Sequence, residues 1–303
     1  MRPALYHPSG SAVGLPGSGR DPGRQPLGTG TAGHGGFMEM RTLWKDIQRI
    51  QAESPLIHNI TNYVVMNTTA NALLAVGASP IMAHALEEVE EIVRIADALV
   101  INIGTLSPSW SEAMTRAGQE AVRRRIPIVL DPVGSGASHF RTTTALKLLR
   151  EAPPTIIRGN ASEIRSLVHA EQSTRGVDSV HAAEETLETA RSLSRQCRCV
   201  VSMSGATDFV VAGSSAIRIS NGHPMMPRVT GLGCIASALT AAFAAVNPSP
   251  FRAAAHAMAI MGIAGEMAAE RSAGPGSLLV HFMDSLYGIR ETDIQSRLKM
   301  SAF

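Results

Sequence analysis

Aromatic residues make up only 4% of the 303-residue chain, which leaves few flat faces on which bases could stack. Charge of one sign is lacking too. Against 27 Lys and Arg stand 25 Asp and Glu, a formal net charge of +2, far from the basic surface that nucleic acid requires. Nucleic acid is therefore not the expected partner. Cysteine is scarce and odd in number: Cys197, Cys199 and Cys234 have neither the pairing of a disulfide framework nor the ligand spacing of a zinc site. A reducing, cytoplasmic setting is expected. Long hydrophobic runs are missing as well, because no stretch reaches the ~20 uninterrupted apolar residues of a membrane span. The alanine-rich run at 235–246 is short, and the one at 253–269 is broken by His256 and Glu266. A soluble protein without a membrane partner follows.

What the chain does have is glycine and proline, concentrated at its start. Ten glycines and five prolines fall within the first 36 residues, a composition that buries too little apolar surface to offset chain entropy. Residues 1–38 are read as a disordered extension, with Met38 or Met40 as an alternative start. Beyond it, residues 39–295 read as a single domain and 296–303 as a flexible tail.

Within that domain two textures alternate. Short apolar runs at 56–60, 80–82, 99–103, 127–130, 155–157 and 199–203 read as strands. Between them, helical spacing falls at 43–50, 67–76, 87–95, 110–124, from Ser162, and at 182–193. This alternation predicts an α/β fold whose mostly parallel central sheet is flanked by helices on both faces. The runs 209–212 and 216–219 flank Gly213-Ser214-Ser215, a turn composition that predicts an antiparallel edge hairpin. A helix follows residues 229–234, and another starts at Ser249-Pro250 and stops at Gly274-Pro275-Gly276. The basic triplet Arg123-Arg124-Arg125 reads as a helix end complementing its dipole.

Polar punctuation falls after several strands, at Gly104-Thr105, Asp131-Pro132-Val133-Gly134, Arg158-Gly159-Asn160-Ala161-Ser162-Glu163 and Ser204-Gly205. In an open α/β sheet these loops converge at the carboxyl edge, where ligands bind. The stretch Val229-Thr230-Gly231-Leu232-Gly233-Cys234 opens a helix directly after two glycines, so free N–H groups and the positive dipole end make an anion hole. Cys234 stands on that first turn, as a small packing residue or as a thiol whose pKa the helix lowers. Asn160 and Glu163 form a capping box by spacing. Asp131 is a turn former or a carboxylate on the metal side of a phosphate site.

Taken in order, Asn59-Ile60-Thr61-Asn62-Tyr63-Val64-Val65, Gly77-Ala78-Ser79-Pro80-Ile81-Met82, Asp131-Pro132-Val133-Gly134, Arg158-Gly159-Asn160-Ala161-Ser162-Glu163, Arg175-Gly176-Val177-Asp178 and Gly231-Leu232-Gly233-Cys234 resemble the hydroxyethylthiazole kinases. These belong to the ribokinase-like superfamily. The resemblance, which runs from about residue 41 to 290, implies transfer of the γ-phosphoryl group of ATP to hydroxyethylthiazole in thiamine salvage, with Mg²⁺. It further implies a homotrimer with sites between subunits. By the same resemblance Cys234 occupies the place of a catalytic Asp in related sugar kinases, and residues 231–234 supply the anion hole. Met82, Gly231 and Asn62 bind the alcohol, Arg141 and Ser204 contact ATP, and Glu163 and Asp131 serve the metal, through water. Leu232 stands where relatives usually carry Thr. Two alternatives remain open: a ribokinase-like kinase of another heterocyclic alcohol, and a non-catalytic nucleotide or thiazole binder.

Overall fold

The computed structural model describes residues 32–169 and 182–302. Residues 1–31 of the expected extension and the motif at 175–178 lie outside the described residues. The strands are β1 (Leu56–Ile60), β2 (Ser79–Ile81), β3 (Ala98–Asn102), β4 (Ile128–Asp131), β5 (Ile156–Asn160), β6 (Val200–Ser204), β7 (Asp208–Ala212), β8 (Ser215–Ile219) and β9 (Met300–Ala302). They form one sheet in the order β2-β1-β3-β4-β5-β6-β7-β8-β9. Pairing is parallel from β2 through β6 and antiparallel from β6 to β9.

Helices cover both faces, which is why the central strands are continuous apolar runs. One face meets α1 (Ala32–Glu53), α2 (Met66–Val76), α8 (Leu232–Val246), α9 (Pro250–Ala269) and α10 (Pro275–Gly288). Its core includes Leu43, Ile47, Leu73, Leu239, Phe243, Ile260 and Phe282, with Val100, Val129 and Ile156 from the sheet. The other face meets α3 (Val89–Ile95), α4 (Pro108–Arg124), α5 (His139–Glu151), α6 (Ala161–His169) and α7 (Ala182–Cys197). There Leu99, Ile101, Leu130 and Ile157 of the sheet pack with Val93, Met114, Leu148, Ile164 and Leu193. Side chains thus alternate between the two cores along each strand, with a period of two.

Local chemistry sets the helix ends. The side chains of Ser107, Ser138 and Ser249 accept from the third residue of α4, α5 and α9 respectively. Gly77 ends α2 at φ +101°, where glycine carries no Cβ penalty.

Three boundaries differ from the expectation. Residues 32–38, assigned to the extension, continue α1. Gly274-Pro275-Gly276 does not stop α9, which ends at Ala269; instead Pro275 opens α10 with Gly274 as its N-cap, because proline lacks only an N–H that the first turn does not need. Finally, residues 296–297 and 300–302 of the expected tail are in regular structure. The helix α11 (Glu291–Arg297) leads into β9, which pairs Ile219 with Met300 and Ile217 with Ala302 and so occupies the open edge of β8. Among the described residues no helix is long and apolar enough to cross a membrane.

Candidate active site

The carboxyl ends of the strands and the head of α8 enclose a cavity of about 940 Å³. Asn62 enters it after β1, Gly104 after β3, Asp131 from β4, Arg158 and Asn160 from β5, Ser204 from β6, and residues 231–234 from the start of α8. Gly231 sits at φ +90°, and a Cβ there would stand 2.8 Å from Val65 Cγ1. Only glycine fits this turn without strain. The amide of Ile235 is the first in α8 to bond back, to Gly231 O at 2.9 Å. The N–H groups of Leu232, Gly233 and Cys234 therefore lack helical acceptors, and these three residues line the cavity. Leu232 itself packs its side chain into the core.

Arg158 adds full charge to this partial charge. Its guanidinium is buried, donates from Nη2 to Ser204 Oγ at 2.8 Å, and lies so close to the helix head that a Cβ on Gly233 would be 3.0 Å from Nη1. Its Nε has no protein partner. Arg141, expected to contact ATP, is engaged with main-chain carbonyls. It donates to the carbonyls of Val133 at 2.6 Å, Gly104 at 2.5 Å and Ile103 at 3.3 Å, tying the loops after β3 and β4 together, and it does not line the cavity.

Cys234 is held by amides. Asn102 Nδ2 donates to its Sγ at 3.2 Å and Asn62 Nδ2 at 3.4 Å. Asn62 Nδ2 also donates to Asn102 Oδ1 at 2.9 Å, and Asn102 Nδ2 to Asp131 Oδ2 at 2.8 Å. Ser237 Oγ completes the set by donating to Asp131 Oδ2 at 2.7 Å. A connected polar network thus runs beneath the head of α8. Burial, reinforced by the nearby Asp131 charge, pushes the Cys234 thiol up to about 11 against the two asparagine bonds and Arg158. The lowered thiol pKa expected from the helix dipole is not what this environment produces. Burial likewise raises Asp131 to about 7, although Arg158, Ser237 and Asn102 pull the other way.

Glu163 is engaged on both oxygens. Its Oε2 accepts from Asn160 N at 2.8 Å while Asn160 Oδ1 accepts from Glu163 N at 2.9 Å, the reciprocal capping box. Its Oε1 accepts from Gly134 N at 2.9 Å, which fastens α6 to the loop after β4. Among the described residues no group of three or more His, Cys, Asp or Glu could hold a metal. Met82 follows β2, the edge strand, half-buried, and does not reach this chain's own cavity.

Asn102 and the cavity position of Arg158 escaped the sequence reading, although a signal existed. Val100, Val129 and Ile156 face α8, so the period of two points Asn102, Asp131 and Arg158 the same way. An apolar, any, polar pattern at three strand ends marks a polar floor under one helix.

A sequence model described as the Hydroxyethylthiazole kinase family matches residues 47–292. The chain belongs to the hydroxyethylthiazole kinase family. The hydroxyethylthiazole kinase of Syntrophus aciditrophicus (strain SB) is 59% identical over 260 residues, covering 86% of this chain and 96% of that protein. The solved structure of a hydroxyethylthiazole kinase protein from Pyrococcus horikoshii OT3 superposes with a TM-score of 0.81 at 43% identity, over 87% of this chain and 99% of that one. A ribokinase-like superfamily protein of Enterococcus faecalis V583 shares the fold alone, with a TM-score of 0.56 at 14% identity over 80% and 86% of the two chains. The chain is thus a kinase by family and ribokinase-like in architecture. Every cavity residue named above lies inside the stretch matched to the hydroxyethylthiazole kinase family.

Proposed function

We propose that the chain transfers the γ-phosphoryl group of ATP to the primary hydroxyl of 4-methyl-5-(2-hydroxyethyl)thiazole, giving its phosphate and ADP, as a step of thiamine salvage in the cytoplasm. The observation that carries this reading is the amide cradle at the head of α8, open to the cavity with Arg158 beside it. Phosphoryl transfer passes through a loose transition state, so donors and positive charge around the transferred group do most of the work.

Strand order divides the rim. Asn62 and Gly104 follow β1 and β3, Asp131 and Arg158 stand at the centre on β4 and β5, and Ser204 to Asp208 follow β6. The alcohol belongs at the β1 and β3 end, beside Asn62 and Cys234, and the nucleotide at the β6 to β8 end, where Ser204 contacts it. Gly231 borders both. Arg158 adds a second guanidinium for the phosphates, besides the one expected of Arg141.

Mg²⁺ suits the carboxylates present only as a largely hydrated ion. Glu163 already serves two main-chain amides, and Asp131 Oδ2 serves Asn102 and Ser237. Magnesium keeps several waters and uses one or two carboxylates beside substrate phosphates, so Asp131 and Glu163 would hold those waters. When bound, the ion would neutralise charge on the phosphate oxygens. Met82 fits the alcohol site of an adjacent subunit, consistent with a homotrimer whose sites lie between subunits.

Phosphate transfer from ATP across a panel of heterocyclic alcohols tests the proposal. Hydroxyethylthiazole is expected to be the preferred acceptor. Preference for another alcohol would make the chain a different ribokinase-like kinase, and nucleotide binding without ADP release would make it a sensor.

A further inference from the structure

The loop from Ser220 to Thr230 forms the cavity wall on the β8 side and runs straight into the Gly231 cradle. Its own secondary structure is one short 3₁₀ turn at Met226–Arg228, so its position must come from outside. Two sources hold it. On one side α9 offers a receiving face: a Cβ on Gly262 would lie 2.5 Å from Asn221 Cβ, and one on Gly265 would overlap Met226 Sδ. One turn beyond Gly262, Glu266 Oε1 accepts from Gly222 N at 3.0 Å and Asn221 Nδ2 at 3.2 Å.

The second source is the end of the chain. Asn221 Nδ2 donates to Arg297 O at 2.7 Å, and Asn221 Oδ1 accepts from Lys299 N at 2.8 Å. Ser220 N donates to Lys299 O at 2.9 Å. Lys299 Nζ then reaches the same Glu266 Oε1 at 2.9 Å, and Arg297 pairs with Glu270, the residue that caps the end of α9. The buried amide of Asn221 is thereby shared between Glu266 and residues 297 and 299. Lys299 and β9 lie past residue 292, where the family match ends.

We propose that Glu266 and Lys299 are positioning residues: with the backbone of residues 297–299 they clamp the Ser220 to Thr230 loop and so set the nucleotide wall and the approach of the Gly231 cradle. They touch neither substrate nor reacting atoms, and they act through Asn221 and Gly222. This inference rests on the proposed function, which assigns the β8 side to the nucleotide. Loosening the clamp should weaken nucleotide binding while leaving the alcohol end, built from Asn62, Asn102 and Cys234, in place.

The test uses full-length Glu266→Ala, Glu266→Gln and Lys299→Ala, with ATP and hydroxyethylthiazole varied separately and binding of a non-hydrolysable ATP analogue measured by calorimetry. Glu266→Ala is expected to raise the KM for ATP and the analogue Kd by about tenfold, where tenfold corresponds to about 1.4 kcal/mol. Its kcat at saturating ATP and its KM for the alcohol should stay near those of the parent. Glu266→Gln, which keeps an acceptor for Gly222, should restore most of the loss, and Lys299→Ala should fall between. An unchanged analogue Kd in folded Glu266→Ala and Lys299→Ala overturns the inference, as does a parallel fall in all parameters with the folded fraction. Should Glu266→Ala fail to fold, Lys299→Ala alone decides by the same criterion. Failure of the parent protein to phosphorylate hydroxyethylthiazole would instead sink the functional proposal, and the analogue Kd would still judge the clamp.

Discussion

At the scale of single residues, Cys234 is defined by the bonds it receives. Two asparagine amides point at its sulfur, so the thiol proton is what it offers to the cavity. A thiol raised to about 11 is neutral near pH 7; on the proposed reading it orients the alcohol oxygen through its S–H and is not the base, the alcohol proton leaving late, to a phosphate oxygen or solvent, as the new bond to phosphorus forms. Cys234→Ala should therefore lower kcat by roughly 10- to 100-fold, less than the loss of a full general base, and Cys234→Asp should retain turnover. Complete loss in both, with circular dichroism unchanged, would make the sulfur a covalent participant. Asp131 yields a prediction with a definite sign. Its folded pKa of about 7 lies above the ordinary 3.8, so between those values the folded chain holds a proton that the unfolded chain has released. Asp131 therefore costs stability as pH rises through that window. Asp131→Asn removes the dependence: relative to the parent, its melting temperature should climb between about pH 4 and pH 8. A pH-independent difference in thermal unfolding would contradict the buried carboxylate, and assays at the same pH values should show reduced turnover.

At the scale of elements, the head of α8 works because two glycines serve different ends. Gly231 supplies a left-handed turn, whereas Gly233 leaves room for Arg158 Nη1, 3.0 Å from where a Cβ would stand. Gly233→Ala should hold or raise the melting temperature, since alanine is the better helix former by about 1 kcal/mol. It should nevertheless raise the KM for ATP by about tenfold through the displaced guanidinium, a loss of about 1.4 kcal/mol. Equal kinetics in the two proteins would show that Arg158 does not serve the cradle. The same elements show what the sequence made legible. Parallel strands buried on both faces stand out as runs such as Leu99-Val100-Ile101, and capping residues mark helix starts at Ser249-Pro250. What stayed hidden depends on partners distant in sequence. The three residues of β9 are too short a run to announce a strand and form one only because β8 offers an edge. Gly274-Pro275-Gly276 has the composition of a stop and the position of a start. Arg141 and Arg158 are equally plausible phosphate ligands by type; only tertiary placement shows that one spends its donors on carbonyls while the other faces the cavity.

At the scale of the whole molecule, one feature of the single chain looks incomplete. Met82 is half-buried at the edge strand but away from its own cavity, and large apolar side chains stand exposed nearby in the fold's outer layer. Tyr63 and Val64, flanking Asn62 at the mouth, are more than 60% exposed, and Tyr63 leans on Trp110 with ring centroids 4.7 Å apart. Leu74 on α2 and Val280 and Tyr287 on α10 are likewise open, Tyr287 at 78%, and these two helices pack against each other. In the proposed homotrimer, exposed apolar residues of this size on adjoining helices are where a neighbouring copy is expected to pack. In that proposed assembly a neighbouring chain would cover the α2 and α10 pair and bring its own Met82 to the alcohol end. Light scattering of the parent should then give three times the 32.0 kDa chain mass. Aspartates at both Leu74 and Val280 bury charge in such an interface, and the product should shift to monomer with a raised KM for the alcohol and an unchanged Kd for the ATP analogue. A fully active parent monomer would remove the need for a second subunit, and a trimer that survives both substitutions would place the contact elsewhere on the surface.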